Sequence, residues 1–419
     1  MKRKVSNIKY TSYFRERWFH VVFLLALIPL FPEYISFFLV LAAFLLALRE
    51  ASKKKLSKLL APSGGLMLVY VLYMLLSVFY SAAPWSSLAT AAMWLFMMMA
   101  FLSLRLVLTD RTRLWVFCLM VTAPVGVCGL IGLIQAFLYH VLGLEITTRL
   151  WDFIDLPLYQ LFPGQLFLIQ TNDRPSATFN NPNIFCEYLS MAMPVALYTL
   201  WEESKNPSSL WGFVAGAVIS GAAGVLVSLS EGGLLALLAS ILIFLMARPR
   251  RIPWVLAGLF LGALLLSPSV IEKLLALSSA SGDVELRLEI WPLAIEAFLQ
   301  RPVLGWGAGC ESVRLFLLDG GLSVPHAHNL VLELAAEGGL IALLLFGLQG
   351  FRVARKGAIL ATHPDSHRLG ILFIAFIGAF LVHGLVDFPL LTPKLIAFFL
   401  MMLAFFESVC RLYSSREFR

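Results

Sequence analysis

Apolar residues along this chain come in runs long enough to cross a bilayer, separated by short polar breaks. A hydrocarbon core takes about 20 such residues per helix. Runs of that kind predict helices near 18–31, 34–48, 65–81, 85–107, 113–141, 182–201, 209–228, 231–247, 253–268, 328–350, 367–387 and 393–411. The first two are short, and Pro32-Glu33 between them leaves a tight hairpin or one broken helix as options. The pattern predicts an all-α polytopic membrane protein of about 12 transmembrane helices forming a single domain over 1–419. Two longer loops interrupt it, 142–181 and 269–327, the second carrying an amphipathic segment.

Composition agrees. Of 419 residues, 60% are hydrophobic and only 14% charged, where soluble chains carry roughly 25% charged residues. The first run follows a basic start, but no small-residue cleavage pattern ends it, so it is expected to persist as a span. Cys118, Cys128, Cys186, Cys310 and Cys410 are odd in number and lack CxxC spacing, which argues against a disulfide framework and a zinc site. The net charge of +7 is best read as orientation signal, since cytoplasmic loops gather Lys and Arg.

With both termini cytoplasmic, 25 of the 32 Lys and Arg fall inside. That leaves Arg149, Arg174, Lys273, Arg287, Arg301, Arg314 and Lys394 outside, and both long loops are then exterior. The cytoplasmic connections hold no Walker-type glycine-rich loop, so ATP-driven transport within this chain is not expected. No nucleic-acid partner is expected either. Gly212, Gly216, Ser220, Gly224 and Ser228 recur every four residues and read as a close-packing stripe.

Candidate chemistry gathers at the exterior ends. His326 and His328 sit in Pro-His-Ala-His-Asn at the mouth of a membrane helix, with Asn329 beside them. A helix N-terminus carries a partial positive charge, a field that favours the neutral imidazole a general base needs. Capping of the helix by His328 or Asn329 is the competing reading. Metal binding by the pair is the weakest, for want of a third His or Cys nearby.

Arg287 lies in Asp-Val-Glu-Leu-Arg-Leu-Glu-Ile-Trp-Pro, an amphipathic segment whose helical part is expected to start at Pro292. It is a planar fork suited to a phosphate oxygen, or one member of an exposed ion-pair cluster with Glu285 and Glu289. Arg174 is a second candidate phosphate contact, ahead of Asn181-Pro182-Asn183, which reads as a helix start. Glu231, in Ser-Leu-Ser-Glu-Gly-Gly, follows the cap candidate Ser230; it suits a first turn, or a sugar hydroxyl. Trp306, in Gly-Trp-Gly-Ala-Gly, reads as an interface tryptophan before a sugar-stacking one. His383 and Asp387 share a helix face four residues apart, placed to pair or to support the site.

Taken in order, Arg-Pro-Ser-Ala-Thr-Phe-Asn-Asn-Pro-Asn (174–183), Ser-x-Ser-x-Gly (228–232), Arg287 with Trp291, Arg-Pro-Val-Leu-Gly-Trp-Gly-Ala-Gly (301–309), and His326-Ala-His328-Asn329 followed after nine residues by Gly339 resemble the bacterial O-antigen ligase/polymerase family. The resemblance is strongest over 170–390. It implies a metal-independent, cofactor-free membrane glycosyltransferase of the C type, multi-pass in the bacterial inner membrane and acting at its outer face. The donor it implies is an undecaprenyl-diphosphate-linked glycan; the acceptor is another glycan or lipid A core. The protein partners it implies are a chain-length regulator and a flippase. By position His328 is then the catalytic base and Arg287 the diphosphate contact, with Arg174, Glu231, His326 and Asn329 binding substrate and His383 and Asp387 in support. One departure stands out: family members often carry Arg where this chain has Glu231, which weakens a ligase mechanism in particular. Polymerisation of lipid-linked repeat units into O-antigen, capsule or exopolysaccharide is the leading reading. Ligation to lipid A core or protein is the alternative, and a flippase or permease is the alternative of another class.

Overall fold

A computed structural model describes residues 13–50, 56–144, 174–205, 207–247 and 283–413. They form helices and connecting turns: α1 Arg17–Ala26, with a 3-10 turn Ile28–Leu30, α2 Glu33–Leu48, α3 Leu56–Ser77, α4 Pro84–Val107, α5 Arg111–Leu142, α6 Pro182–Glu203, α7 Trp211–Val227, α8 Glu231–Met246, α9 Asp283–Gln300, α10 Cys310–Asp319, α11 Leu330–Thr362, α12 His367–Gly384 and α13 Pro393–Tyr413. No strand occurs among the described residues. Eleven of the twelve apolar runs fall on helices. Of these, α3, α4, α5, α6, α11, α12 and α13 are long and apolar enough to cross a membrane, while α1 with its 3-10 turn, α2, α7 and α8 are shorter. The run at 253–268, Arg149, Lys273, most of 142–181 and the first part of 269–327 lie outside the described residues.

Pro32 resolves the first ambiguity. The chain turns there and α2 packs back along α1, so the pair is a hairpin and not one broken helix. The small-residue stripe behaves as expected over only part of its length. Nothing approaches Gly212 or Gly216, whereas Gly224 lies against Gly129 of α5 and Ser220 donates to the Gly126 carbonyl at 3.0 Å. A side chain at Gly129 would overlap the Ser220 backbone. The close approach of α5 and α7 is therefore made by the C-terminal half of the stripe, with small residues contributed by both helices.

α11 is two helical pieces joined at Gly339, where φ is 60° and ψ −155°. A break of this kind leaves backbone groups unpaired, and in apolar surroundings each must find another partner. The segment after α9 supplies them. Trp306 N donates to the Ala336 carbonyl at 2.8 Å, Gly307 N to the Glu337 carbonyl at 3.0 Å, and Leu340 N to the Pro302 carbonyl at 2.8 Å. Gly305 passes so close to Glu337 that a Cβ would overlap its carbonyl. Trp306 donates its indole N–H to the Ala297 carbonyl at 2.7 Å and carries the Arg301 guanidinium over its ring at 4.1 Å. The Gly-Trp-Gly-Ala-Gly motif thus clamps the break in α11, and the sugar-stacking role weighed for Trp306 gives way to this anchoring.

α9 runs without interruption through Pro292, beginning nine residues before the expected start. Pro292 forfeits only its bond to the Leu288 carbonyl, at a residue whose side chain is exposed. Ile290, Ala294 and Ala297 of α9 pack on Val313 and Leu317 of α10 and on Ala327 and Ala336, forming a small second core apart from the main one. Arg287 is one turn before Ile290 on that buried face. Lys394, counted on the outer side of the membrane, is buried within the protein: Nζ donates to the Thr178 carbonyl at 2.7 Å and lies 4.4 Å over the Phe179 ring.

The close approach of α5 and α7 sets a test. Gly129→Ala should destabilise the purified protein by about 1–3 kcal/mol, as overpacking does. Gly216→Ala should stay within about 0.5 kcal/mol of the parent. Denaturant unfolding in detergent compares the two, and equal effects would mean that the α5–α7 contact is not tight.

Candidate active site

The site is assembled from the N-terminus of α11, the turn after α12, the turn between α7 and α8, and α9. Asn329 is the cap of α11. Val331 N and Leu332 N donate to its Oδ1 at 3.0 and 3.1 Å, and its Nδ2 donates to the Leu385 carbonyl at 2.8 Å. Its side chain is thus committed to holding α11 against the α12 turn, which fulfils the capping reading and leaves little of it for substrate. Two residues earlier, Ala327 N donates to Glu333 Oε2 at 2.6 Å. Between these two anchors His328 takes φ of 46°, a left-handed conformation rare for a side-chain-bearing residue and often found at functional sites.

Both histidines converge on one carboxylate. His326 Nε2 and His328 Nδ1 each lie 3.1 Å from Asp387 Oδ1, and Phe388 N donates to the same oxygen at 2.9 Å. The rings stand 4.0 Å apart. With the carboxylate accepting, His326 carries its proton on Nε2 and His328 on Nδ1. His328 Nε2 is then a lone pair with no hydrogen-bond partner among the described residues, on a side chain 20% exposed. His326 is more deeply buried, and its Nδ1 has no partner among the described residues. Burial, and the charges of His328 and Arg287, lower His326 to about 4. Burial alone would raise the Asp387 carboxyl, but His328 and His326 outweigh it and hold the group well below the usual carboxylate range.

Arg287 is buried and pairs with Glu231, Nη1 to Oε2 3.5 Å, not with the exposed Glu285 and Glu289 beside it in sequence. Glu231 begins α8, is 43% exposed at its side chain, and follows Ser230, whose Oγ accepts from Gly233 N at 3.4 Å. Leu229 just before has φ of 53°. Arg174 braces this turn: Nε donates to the Ser228 carbonyl at 2.7 Å and Nη2 to Asn183 Oδ1 at 2.9 Å. Asn181 caps α6, its Oδ1 accepting from Asn183 N at 2.7 Å. The turn also touches α12, since a Cβ on Gly232 would lie 3.3 Å from His383 Nε2. His383 faces Glu187 of α6, Nε2 to Oε1 3.7 Å, and its Nδ1 is 3.4 Å from Ser190 Oγ. His383 does not pair with Asp387 by side chain; Asp387 N donates to the His383 carbonyl at 3.1 Å.

Among the described residues, three groups bring His, Cys, Asp or Glu donors within 4.8 Å of one another: His326, His328 and Asp387; Glu187, His383 and Asp387; Cys310, Glu333 and Glu337. In the first, the facing nitrogens already bond Asp387. Glu187, Glu333 and Glu337 were not singled out from sequence as site candidates. The signal was present, because carboxylates inside apolar helices are costly and generally placed for a reason.

Such a cluster can take a proton at His328 Nε2 and meet an anion at Arg287, on the condition that the anion competes with Glu231. The geometry also has a pH consequence. His326 titrates lower folded than unfolded, so as pH falls the unfolded chain takes the proton first. Stability should therefore drop between pH 6.5 and about 4, by up to about 3 kcal/mol. His326→Gln should flatten that part of the unfolding curve, and an unchanged pH slope in the variant would count against a buried neutral His326.

The O-antigen ligase family model matches residues 215–347, which include Glu231, Arg287, His326, His328 and Asn329 but stop short of His383 and Asp387. No curated protein matches the chain. Residues 215–347 thus match the O-antigen ligase family, and this part of the chain carries the likeness to the O-antigen ligase/polymerase group.

Proposed function

We propose that the protein is a polysaccharide polymerase that joins undecaprenyl-diphosphate-linked repeat units at the outer face of the bacterial inner membrane. The observation that carries this reading is the 3.1 Å bond from His328 Nδ1 to Asp387, which leaves Nε2 as a base. An acceptor sugar hydroxyl attacks the anomeric carbon of the donor, forming the new C–O bond. The bond from that carbon to the diphosphate oxygen breaks, and its electron pair leaves with undecaprenyl diphosphate. The hydroxyl proton passes to His328 Nε2, and Asp387 stabilises the imidazolium that forms. Arg287 exchanges Glu231 for the diphosphate and offsets the charge growing there. The diphosphate already activates the sugar, so no nucleotide enters.

Polymerase is preferred to ligase because Glu231 stands where the family pattern often has Arg. A half-exposed carboxylate beside Arg287 is suited to accept from a sugar hydroxyl, whereas an arginine would have been a second diphosphate contact. The twelve-span topology with both termini cytoplasmic belongs to the same proposal. It puts His328, Arg287 and Glu231 at the outer ends of their helices, within reach of a lipid-linked donor.

Purified protein in liposomes, given undecaprenyl-diphosphate oligosaccharide, should release undecaprenyl diphosphate and lengthen the glycan. His328→Ala and Arg287→Ala should each lower turnover at least ~100-fold. Movement of donor across the bilayer without a new glycosidic bond would identify a flippase instead. Transfer to lipid A core without polymer would identify a ligase.

A further inference from the structure

The third donor group shares no donor atom with the histidine cluster and plays no part in the chemistry above. Glu333 and Glu337 are one turn apart near the start of α11, and their residues are 0% and 4% exposed. Cys310 opens α10 directly after Gly309, whose φ is 94°. The Cys310 Sγ and a carboxylate oxygen from each glutamate fall within 4.8 Å of one another. Glu333 Oε1 and Glu337 Oε1 are both buried without a hydrogen-bond partner among the described residues. No Lys, Arg or His among the described residues forms an ion pair with either. A cavity of about 40 Å³ is lined by Cys310, Glu337, Tyr70, Thr90 and Trp94, among others.

Two adjacent buried carboxylates need a positive charge, either a proton or a cation. We propose that Cys310, Glu333 and Glu337 bind a divalent cation of the zinc class. Thiolate and carboxylate are both zinc ligands, and two donors on a tetrahedral zinc stand about 3.5 Å apart, so the group closes on the ion with small movements. The cavity, on the side of Cys310 and Glu337, exceeds the roughly 10–15 Å³ that a water needs, so a fourth ligand has space there. The bound ion joins the first turn of α10 to α11. Glu333 also receives Ala327 N, so the ion steadies the residue between His326 and His328. Its role is positional, and the glycosyl transfer does not pass through it.

Metal content tests this without an activity assay. The full chain, purified in detergent without chelator and equilibrated with Zn²⁺, should retain about one equivalent per chain by mass spectrometry. Replacing zinc with Co²⁺ should give a thiolate-to-cobalt charge-transfer band. Cys310→Ser should abolish that band, and Glu337→Gln should weaken Co²⁺ binding at least ~10-fold. His328→Ala should leave both unchanged, which separates this site from the histidine cluster. Absence of stoichiometric zinc, or a cobalt spectrum indifferent to Cys310→Ser, would overturn the proposal and leave the carboxyl pair sharing a proton.

Discussion

A single buried oxygen, Asp387 Oδ1, organises the candidate site. Two imidazoles and one backbone N–H converge on it from two different elements. A carboxylate taken out of water is expensive unless its lone pairs are met, and here the meeting partners are the residues with the chemistry. The hydrogen bonds that offset the cost of burying Asp387 thus also fix the tautomer and direction of His328. The α12 turn is held in the same place from the other side, where Asn329 donates to the Leu385 carbonyl.

The elements around that oxygen are held by a second constraint, the broken backbone of α11. Glycine at 339 lets the helix part, and the 302–307 backbone satisfies the groups released there. That pairing locks the end of α9 against α11, with Arg287 on the buried face of α9. A bulky side chain at Gly305 or Gly339 would meet carbonyls on the partner segment. The glycines therefore act on the site at a distance, by fixing how closely two backbones approach.

Much of this was legible in the sequence, and the parts that were not share a cause. Apolar periodicity located helices because burial and helical spacing leave a local signature. Asn181 and Ser230 mark helix starts in the sequence, and Asn329 is one of two cap candidates before α11, because capping acts over two or three residues. Long-range partners left no such mark. Nothing near Arg287 in sequence says that it prefers Glu231, 56 residues away, to the glutamates two positions on either side. The Thr178 carbonyl that takes the Lys394 ammonium lies 216 residues away in sequence. Nor does the sequence near Arg174 say that its guanidinium donates to the Ser228 carbonyl, 54 residues away. Of the two roles open to Asp387, pairing with His383 or supporting the site, its bonds to His326 and His328 fit the second.

The central claim is that His328 and Asp387 work as one unit, and a double-mutant cycle on turnover measures that directly. The variants are His328→Ala, Asp387→Asn and the two combined. If Asp387 acts through His328, the combined variant should be no slower than His328→Ala alone. Additive losses, with the combined variant slower by the product of the two separate factors, would contradict it.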